Sequence, residues 1–235
     1  MTIVLSDKQP VPIAEAMKSL ERKVLATSVC YLGVDIGLYG AISAIESEHR
    51  PPLMVTDMPL FRVRKGEKSG SFGNQPNWYR IKEIIDWFVN RTDVDLTVEL
   101  NSPFGKDGKF GWRMNGLQFG YWRAFGLMYG SLLPPGRSFR YHEVTTADWI
   151  PEFGLYSAKR GEGDRSKDPS RLKALHIFPE APCREPDQHN RAESLLLATY
   201  GHRAANNGLR REGRQAPVTP RKRRRLIPRE DRGRG

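Results

Sequence analysis

Three acids stand where a folding chain has most reason to place an apolar residue. Asp35 ends the run Val29-Cys30-Tyr31-Leu32-Gly33-Val34-Asp35, Glu99 ends the short apolar run at 95–99, and Glu193 lies in a helical stretch of small and apolar residues, with His189 four and Asn190 three residues before it. Alternate residues of a strand share a face, which groups Asp35 with Tyr31 and Gly33, and Glu99 with Thr97. Spacings of three and four do the same on a helix for His189, Asn190 and Glu193. A buried carboxylate is costly unless it is paired, hydrogen-bonded or bound to a metal. Taken singly, Asp35 and Glu99 are each better explained as sitting just past a strand, facing water or capping a turn. Taken together, oxygen-rich positions on a first strand, a central strand and a C-terminal helix can surround hard cations, with Mg²⁺ or Mn²⁺ the natural candidates. His189 alone reads as a surface histidine and becomes a ligand candidate only beside Glu193. No Ser/His/Asp or Cys/His arrangement points to a covalent nucleophile.

The elements that must hold these acids can be read from the pattern around them. After the strand at 29–35, the glycines at Gly37 and Gly40 allow a tight turn into a second strand at 41–46, and 53–58 reads as a third, stopped by Pro59. Three strands in succession favour an antiparallel start. The polar, glycine-containing stretch 62–77 reads as a mobile loop. Ile81, Ile84, Ile85 and Phe88 have helical spacing within 78–90, and 95–99 follows as a strand. A helix is expected at 115–133 despite its glycines, then a strand at 139–144, with Thr146 or Asp148 as the cap of the next element. Beyond a charged loop at 157–168 come helices at 169–178 and 191–203, the last with Ala192, Leu195, Leu196 and Thr199 on one face. The expected fold is an α/β domain with a mixed sheet flanked by helices.

Composition bounds the rest. The chain has 235 residues and a formal charge of +11. From Arg203 onward it carries 12 Lys and Arg against 3 acids, so the excess is a tail. The expected organisation is an arm or isolated helix over 1–28, one domain over 29–203 and a basic tail over 204–235, disordered until bound. Such a tail suits a polyanion, most often nucleic acid. Cys30 and Cys183 are the only cysteines, which leaves no disulfide framework or cysteine-based zinc site and points to a reducing compartment. No apolar run reaches the ~18–20 residues of a membrane span, and no signal-peptide core is visible at 1–28. The expected location is the cytoplasm.

At these residues the chain resembles the RuvC-like Holliday junction resolvases of the ribonuclease H superfamily, especially their phage and virus-type members. The matching pieces are Gly33-Val34-Asp35-Ile36-Gly37-Leu38-Tyr39-Gly40-Ala41, Asp57-Met58-Pro59, Val98-Glu99, Lys167-Asp168-Pro169-Ser170-Arg171 leading to Phe178-Pro179, and the stretch from His189-Asn190-Arg191-Ala192-Glu193 to Ala198, in the family's order across 29–203. The resemblance implies a ribonuclease H-like fold with a mixed five-stranded sheet. It also implies a Mg²⁺- or Mn²⁺-dependent endonuclease, with two cations per active site, cutting branched DNA in recombination and repair as a homodimer. Asp35 matches the first-strand acid, Glu99 the central-strand acid and Glu193 the helix acid. The fourth ligand is His189 or Asn190, and His189 is preferred because an amide binds metal more weakly than a carboxylate. Lys167 and Arg171 match a basic region expected to hold DNA phosphates.

Further DNA contacts are expected from the residues themselves. Phe110 and Trp112, in a glycine-rich loop, are candidates to stack on unstacked bases, while Phe119, Trp122 and Phe125 read as helix core or dimer interface. Arg221, Lys222, Arg223, Arg224 and Arg225 are expected to meet phosphates without reading sequence. Neither a membrane nor a small-molecule cofactor is expected, and the setting is a bacterial or phage-infected cytoplasm, or a nucleus if the host is eukaryotic. Three rivals stand beside this reading. A sugar-kinase or actin-type ATPase shares Gly-Val-Asp-Ile-Gly followed by Gly-Ala, but needs a duplicated domain with a second Asp-Gly hairpin. A ribonuclease H acting on RNA:DNA hybrids would use the same metals. A catalytically inactive DNA-binding relative would have Asn190 as the mark of a lost metal site.

Overall fold

The apolar run from Val29 becomes the strand around which the rest of the domain is laid. The computed structural model describes residues 3–5, 21, 24, 27–37, 39–64, 72–99, 108–155 and 168–207. Its strands are β1 (Ile3–Leu5), β2 (Val29–Asp35), β3 (Ala41–Ile45), β4 (Met54–Asp57), β5 (Leu60–Arg64), β6 (Phe72–Pro76), β7 (Asp93–Glu99) and β8 (Phe139–Val144). Its helices are α1 (Trp78–Val89), α2 (Gly108–Ser131), α3 (Thr146–Trp149), α4 (Asp168–Ile177) and α5 (His189–Asn206). A five-stranded mixed sheet runs β4-β3-β2-β7-β8, with β1 added outside β4. β2, β3 and β4 are antiparallel neighbours, as the closely spaced runs imply, whereas β7 and β8 join parallel to β2. Parallel neighbours need crossovers, and α1 and α2 lie in the connections that lead to β7 and β8.

Both faces of the central strands are covered, so alternate residues go to different environments. Cys30, Leu32 and Val34 of β2 and Val94, Leu96 and Val98 of β7 join one core with Ile81, Ile84, Ile85 and Phe88 of α1 and Trp122 of α2. Asn77 starts α1, its side-chain oxygen accepting from the Arg80 amide at 3.2 Å. The opposite face belongs to α5. Ala192, Leu195, Leu196, Leu197 and Ala198 are all buried there with Trp149, Phe153, Ala174 and Phe178. Burying each of those leucines contributes roughly 1.5–3 kcal/mol. Gly33 lets helix and strand meet backbone to backbone, since a Cβ there would stand 2.1 Å from the Ser194 carbonyl oxygen and 2.3 Å from the Ala198 nitrogen. Gly201 does the same lower down, where a Cβ would fall 2.5 Å from Thr97 Oγ1.

Several elements differ from the expectation. The stretch expected as a loop at 62–77 contains much of a hairpin, β5 paired antiparallel with β6 from Leu60↔Pro76 to Arg64↔Phe72. Its polar composition hides strands whose only strand partners, among the described residues, are each other. Helix α2 begins at Gly108, ahead of the expected 115, and holds its six glycines at a cost of about 1 kcal/mol each that burial of Gln118, Trp122 and Tyr129 offsets. Phe110 and Trp112 therefore lie on a helix and not in a loop. Thr145, and neither Thr146 nor Asp148, caps α3: its amide and hydroxyl both donate to Asp148 at 2.7 Å. Within the arm at 1–28, β1 pairs in parallel with β4, and Val24 is fully buried in the α1-side core.

Candidate functional site

Strand register brings two of the expected acids together. Val34 pairs with Val98 in the parallel β2–β7 ladder, so the next residues, Asp35 and Glu99, end adjacent strands side by side. Neighbouring strands lie about 4.8 Å apart, and paired residues project to the same face. That face is the one α5 covers. Asp35 is 7% exposed and Glu99 5% exposed, so neither sits in bulk water past its strand. Glu99 is firmly held: Thr146 donates its hydroxyl to Oε1 at 2.8 Å, and the Trp149 indole nitrogen donates to the same oxygen at 3.1 Å. The start of α3, immediately after β8, thus clamps the last residue of β7.

The other two expected ligands arrive on α5, whose first turns are tied down beside the acid pair. Arg191 donates from Nε and Nη2 to the two Asp57 carboxylate oxygens, both at 2.6 Å, and from Nη1 to the Pro182 carbonyl at 3.2 Å. Asp57 pairs with Ala41 and Ala41 with Asp35, which puts this anchor on the same row of the sheet as the acids. The Asp57 bond raises the Arg191 pKa above its ordinary value. Asn190 donates its amide to the Tyr39 carbonyl in the turn after Asp35. Ser194 bonds Ser43 hydroxyl to hydroxyl at 2.6 Å. Glu193 is partly buried, with Ser170 of α4 at 3.5 Å, and His189 opens the helix, partly exposed. Asn190 thus has a structural bond to make, while His189 stands at the helix start.

The pair Asp35 and Glu99 is an all-oxygen, buried donor set, the chemistry a hard cation takes. Two ionised carboxylates side by side repel one another and lose hydration, and a divalent cation relieves both penalties. Glu193 and His189 stand on the covering helix without completing a cluster: among the described residues no group of three or more His, Cys, Asp or Glu is gathered closely enough to hold a metal ion. The fit is that of a two-carboxylate pair.

Other expected contributors are dispersed. Arg171 lies on α4 and donates to the Arg184 carbonyl. Lys167, Arg221, Lys222, Arg223, Arg224 and Arg225 lie outside the described residues, as do the rings of Phe110 and Trp112. Trp122 is 1% exposed and belongs to the core, with Phe119 and Phe125 packed against it, as expected for helix core. Burial pushes the Cys183 thiol up to about 11, and that of Cys30 higher still, so neither is a poised nucleophile. Among the described residues no helix is long and apolar enough to cross a membrane.

Two polar features escape the sequence reading. Asp95, 1% exposed, lies on the Glu99 face with Arg140 Nε at 3.2 Å and His142 Nε2 at 3.0 Å. Its signal was the alternation Asp93, Asp95, Thr97, Glu99 on β7, a polar stripe on one pleat face. The Arg191–Asp57 anchor had a weaker signal, an arginine inside an apolar helical run. No protein-family model matches the chain, and no curated protein matches it.

Proposed function

We propose that the protein is a metal-dependent, structure-selective endonuclease that resolves four-way or branched DNA junctions, built on a ribonuclease H-like fold. One observation carries the reading: Asp35 and Glu99 lie buried and adjacent at the ends of parallel strands, beneath a helix bearing Glu193. The strand order β4-β3-β2-β7-β8, three antiparallel strands followed by two parallel ones, supports the fold assignment. Asp35 and Glu99 would hold the cations, and Glu193 and His189 on α5 are the further candidate ligands. Two bound divalent cations would activate a water and neutralise charge at the leaving 3′-oxygen.

The chain's own residues supply the frame. Two buried carboxylates fix where the scissile phosphate is held, and the Arg191, Asn190 and Ser194 bonds hold α5 against that position. Arg171 and Lys167 would meet phosphates near the start of α4, Phe110 and Trp112 would stack on opened bases, and Arg221 to Arg225 would add affinity without discrimination. A twofold dimer would present two sites to the two symmetry-related strands of a junction.

A second reading has its own support. The hydrogen bonds to Glu99 and the structural use of Asn190 also suit a catalytically inactive DNA-binding relative. Incubating purified protein with a labelled four-way junction, linear duplex and an RNA:DNA hybrid, with and without Mg²⁺, separates the readings. Mg²⁺-dependent cleavage of the junction alone is expected. Junction binding without cleavage of any substrate would favour the inactive relative, and cleavage of the hybrid alone would favour a ribonuclease H.

A further inference from the structure

Glu99 is gripped by one oxygen. Thr146 Oγ1 and Trp149 Nε1 converge on Oε1 at 2.8 and 3.1 Å, and among the described residues these two side chains are the donors that hold the carboxylate. Each carboxylate oxygen offers about two lone-pair directions, so two donors use up Oε1. Trp149 is held by packing, and Thr146 by its place in the first turn of α3. Trp149 is 1% exposed and packs edge-on against Phe153 at 6.3 Å between ring centres. Phe153 lies under the Arg203 guanidinium at 5.0 Å, and Arg203 is paired with Glu48 at 2.6 Å and Glu152 at 3.4 Å. Thr146 opens a helix fixed by the reciprocal bonds of Thr145 and Asp148. A carboxylate pinned in this way cannot exchange its two oxygens by rotation without breaking both bonds.

We propose that Thr146 and Trp149 are positioning residues for Glu99: by holding Oε1 they reserve Oε2 for a divalent cation shared with Asp35, so that the ligand pair is set before the cation arrives. The inference rests on the metal-dependent reading above and adds two residues to it. Donors that orient a ligating carboxylate commonly account for about 10–100-fold in metal affinity or activity. If Glu99 is instead a structural acid tying β7 to α3, the same two donors serve the fold alone and cation affinity does not depend on them.

The test measures Mn²⁺ binding to the full chain by the loss of the free-ion electron paramagnetic resonance signal, for the wild type and for Thr146→Val, Thr146→Ser, Trp149→Phe and Glu99→Gln, with melting temperature recorded for each. Thr146→Val and Trp149→Phe are expected to weaken Mn²⁺ binding about tenfold or more. Thr146→Ser, which restores the hydroxyl, is expected to bind as the wild type does. Should Trp149→Phe fail to fold, the valine and serine variants of Thr146 decide alone. Unchanged affinity in Thr146→Val, with Glu99→Gln weakened, overturns the positioning role and leaves the metal reading standing. Equal affinity in wild type and Glu99→Gln, or no binding by the wild type, overturns both.

Discussion

The two faces of the central sheet use the same strands for different ends. Leu96 and Val98 of β7 enter the core beneath α1 and α2, whereas Asp95, Thr97 and Glu99, one residue out of phase, put a carboxylate, a hydroxyl and a second carboxylate on the other face, where Thr97 lies against Gly201 of α5. β2 divides in the same way, with Leu32 and Val34 on one side and Gly33 and Asp35 on the other. The first face is interchangeable hydrophobic packing. The second keeps polar groups under cover, Glu99 bonded to Thr146 and Trp149 and Asp95 beside Arg140 and His142, at a cost in stability that apolar residues would avoid. Departures of that kind from apolar packing are expected at functional or strained sites.

Breaking the comparison at its extremes should give the largest effects. Asp35→Asn is expected to reduce junction cleavage to background while junction binding and melting temperature stay close to wild type, because the amide keeps the shape and loses only a charge. Leu96→Ala should do the reverse, costing about 2–5 kcal/mol in denaturant unfolding while cleavage per folded molecule is retained. Loss of activity per folded molecule in Leu96→Ala would show that the faces are not independent.

Glycines sharpen the contrast with opposite signs. Gly33→Ala drives a methyl into the α5 backbone at 2.1 Å and should destabilise by roughly 1–3 kcal/mol or more. Gly120→Ala, on the exposed side of α2 with nothing within 4 Å of its Cβ, should stabilise by about 0.5–1 kcal/mol. Chemical denaturation reads both. The α5 anchor comes next: Arg191→Met should cost about 1.5–3 kcal/mol, and a double-mutant cycle with Asp57→Asn should recover most of that cost as coupling.

The tail is expected to bear on binding alone. Because α5 extends to Asn206, a deletion that spares the domain removes residues 208–235. It should flatten the slope of log affinity against log salt by about 0.9 for each phosphate the tail neutralises, equally for junction and duplex, with cleavage of bound junction unchanged. The smallest effect is expected at His202, whose ring meets Tyr31 edge-on at 5.0 Å and whose pKa burial lowers below its ordinary value. The unfolded chain then takes up a proton that the folded chain resists. The stability His202 gives is whole above about pH 6.5 and falls away as pH drops through that value. His202→Gln should flatten the melting-temperature profile between about pH 7 and 5.

The sequence was most legible where local pattern and tertiary role coincide. Ile81, Ile84, Ile85 and Phe88 announce α1 because the spacing that makes a helix amphipathic is also the spacing that buries it. The run at 139–144 appears as β8 within the same bounds. Asp35 and Glu99 were legible as a pair only through their matching places at the ends of apolar strands, and their adjacency is a matter of register that no local pattern states. The β5–β6 hairpin was hidden for the same reason, since the short alternation Phe61-Arg62-Val63-Arg64 of β5 pairs with a β6, Phe72–Pro76, that has none. Helix α2 was shortened by its glycines, whose intrinsic cost is visible in sequence while the burial that offsets it is not. The Arg191–Asp57 anchor joins residues far apart in the chain, and Asp57 alone looks like the end of a strand.

The position of α5 sets an order of assembly. As the chain leaves the ribosome, the apolar face of the sheet has its cover once Ser131 is made, but the acid-bearing face waits for residues up to Asn206. At about 5–20 residues per second that interval is roughly 4–15 s. During it, Asp35 and Glu99 can be in register with neither Glu193 nor the Arg191 anchor present. A nascent chain folding in this order covers the α1–α2 face of its sheet first and the face that carries Asp35 and Glu99 last.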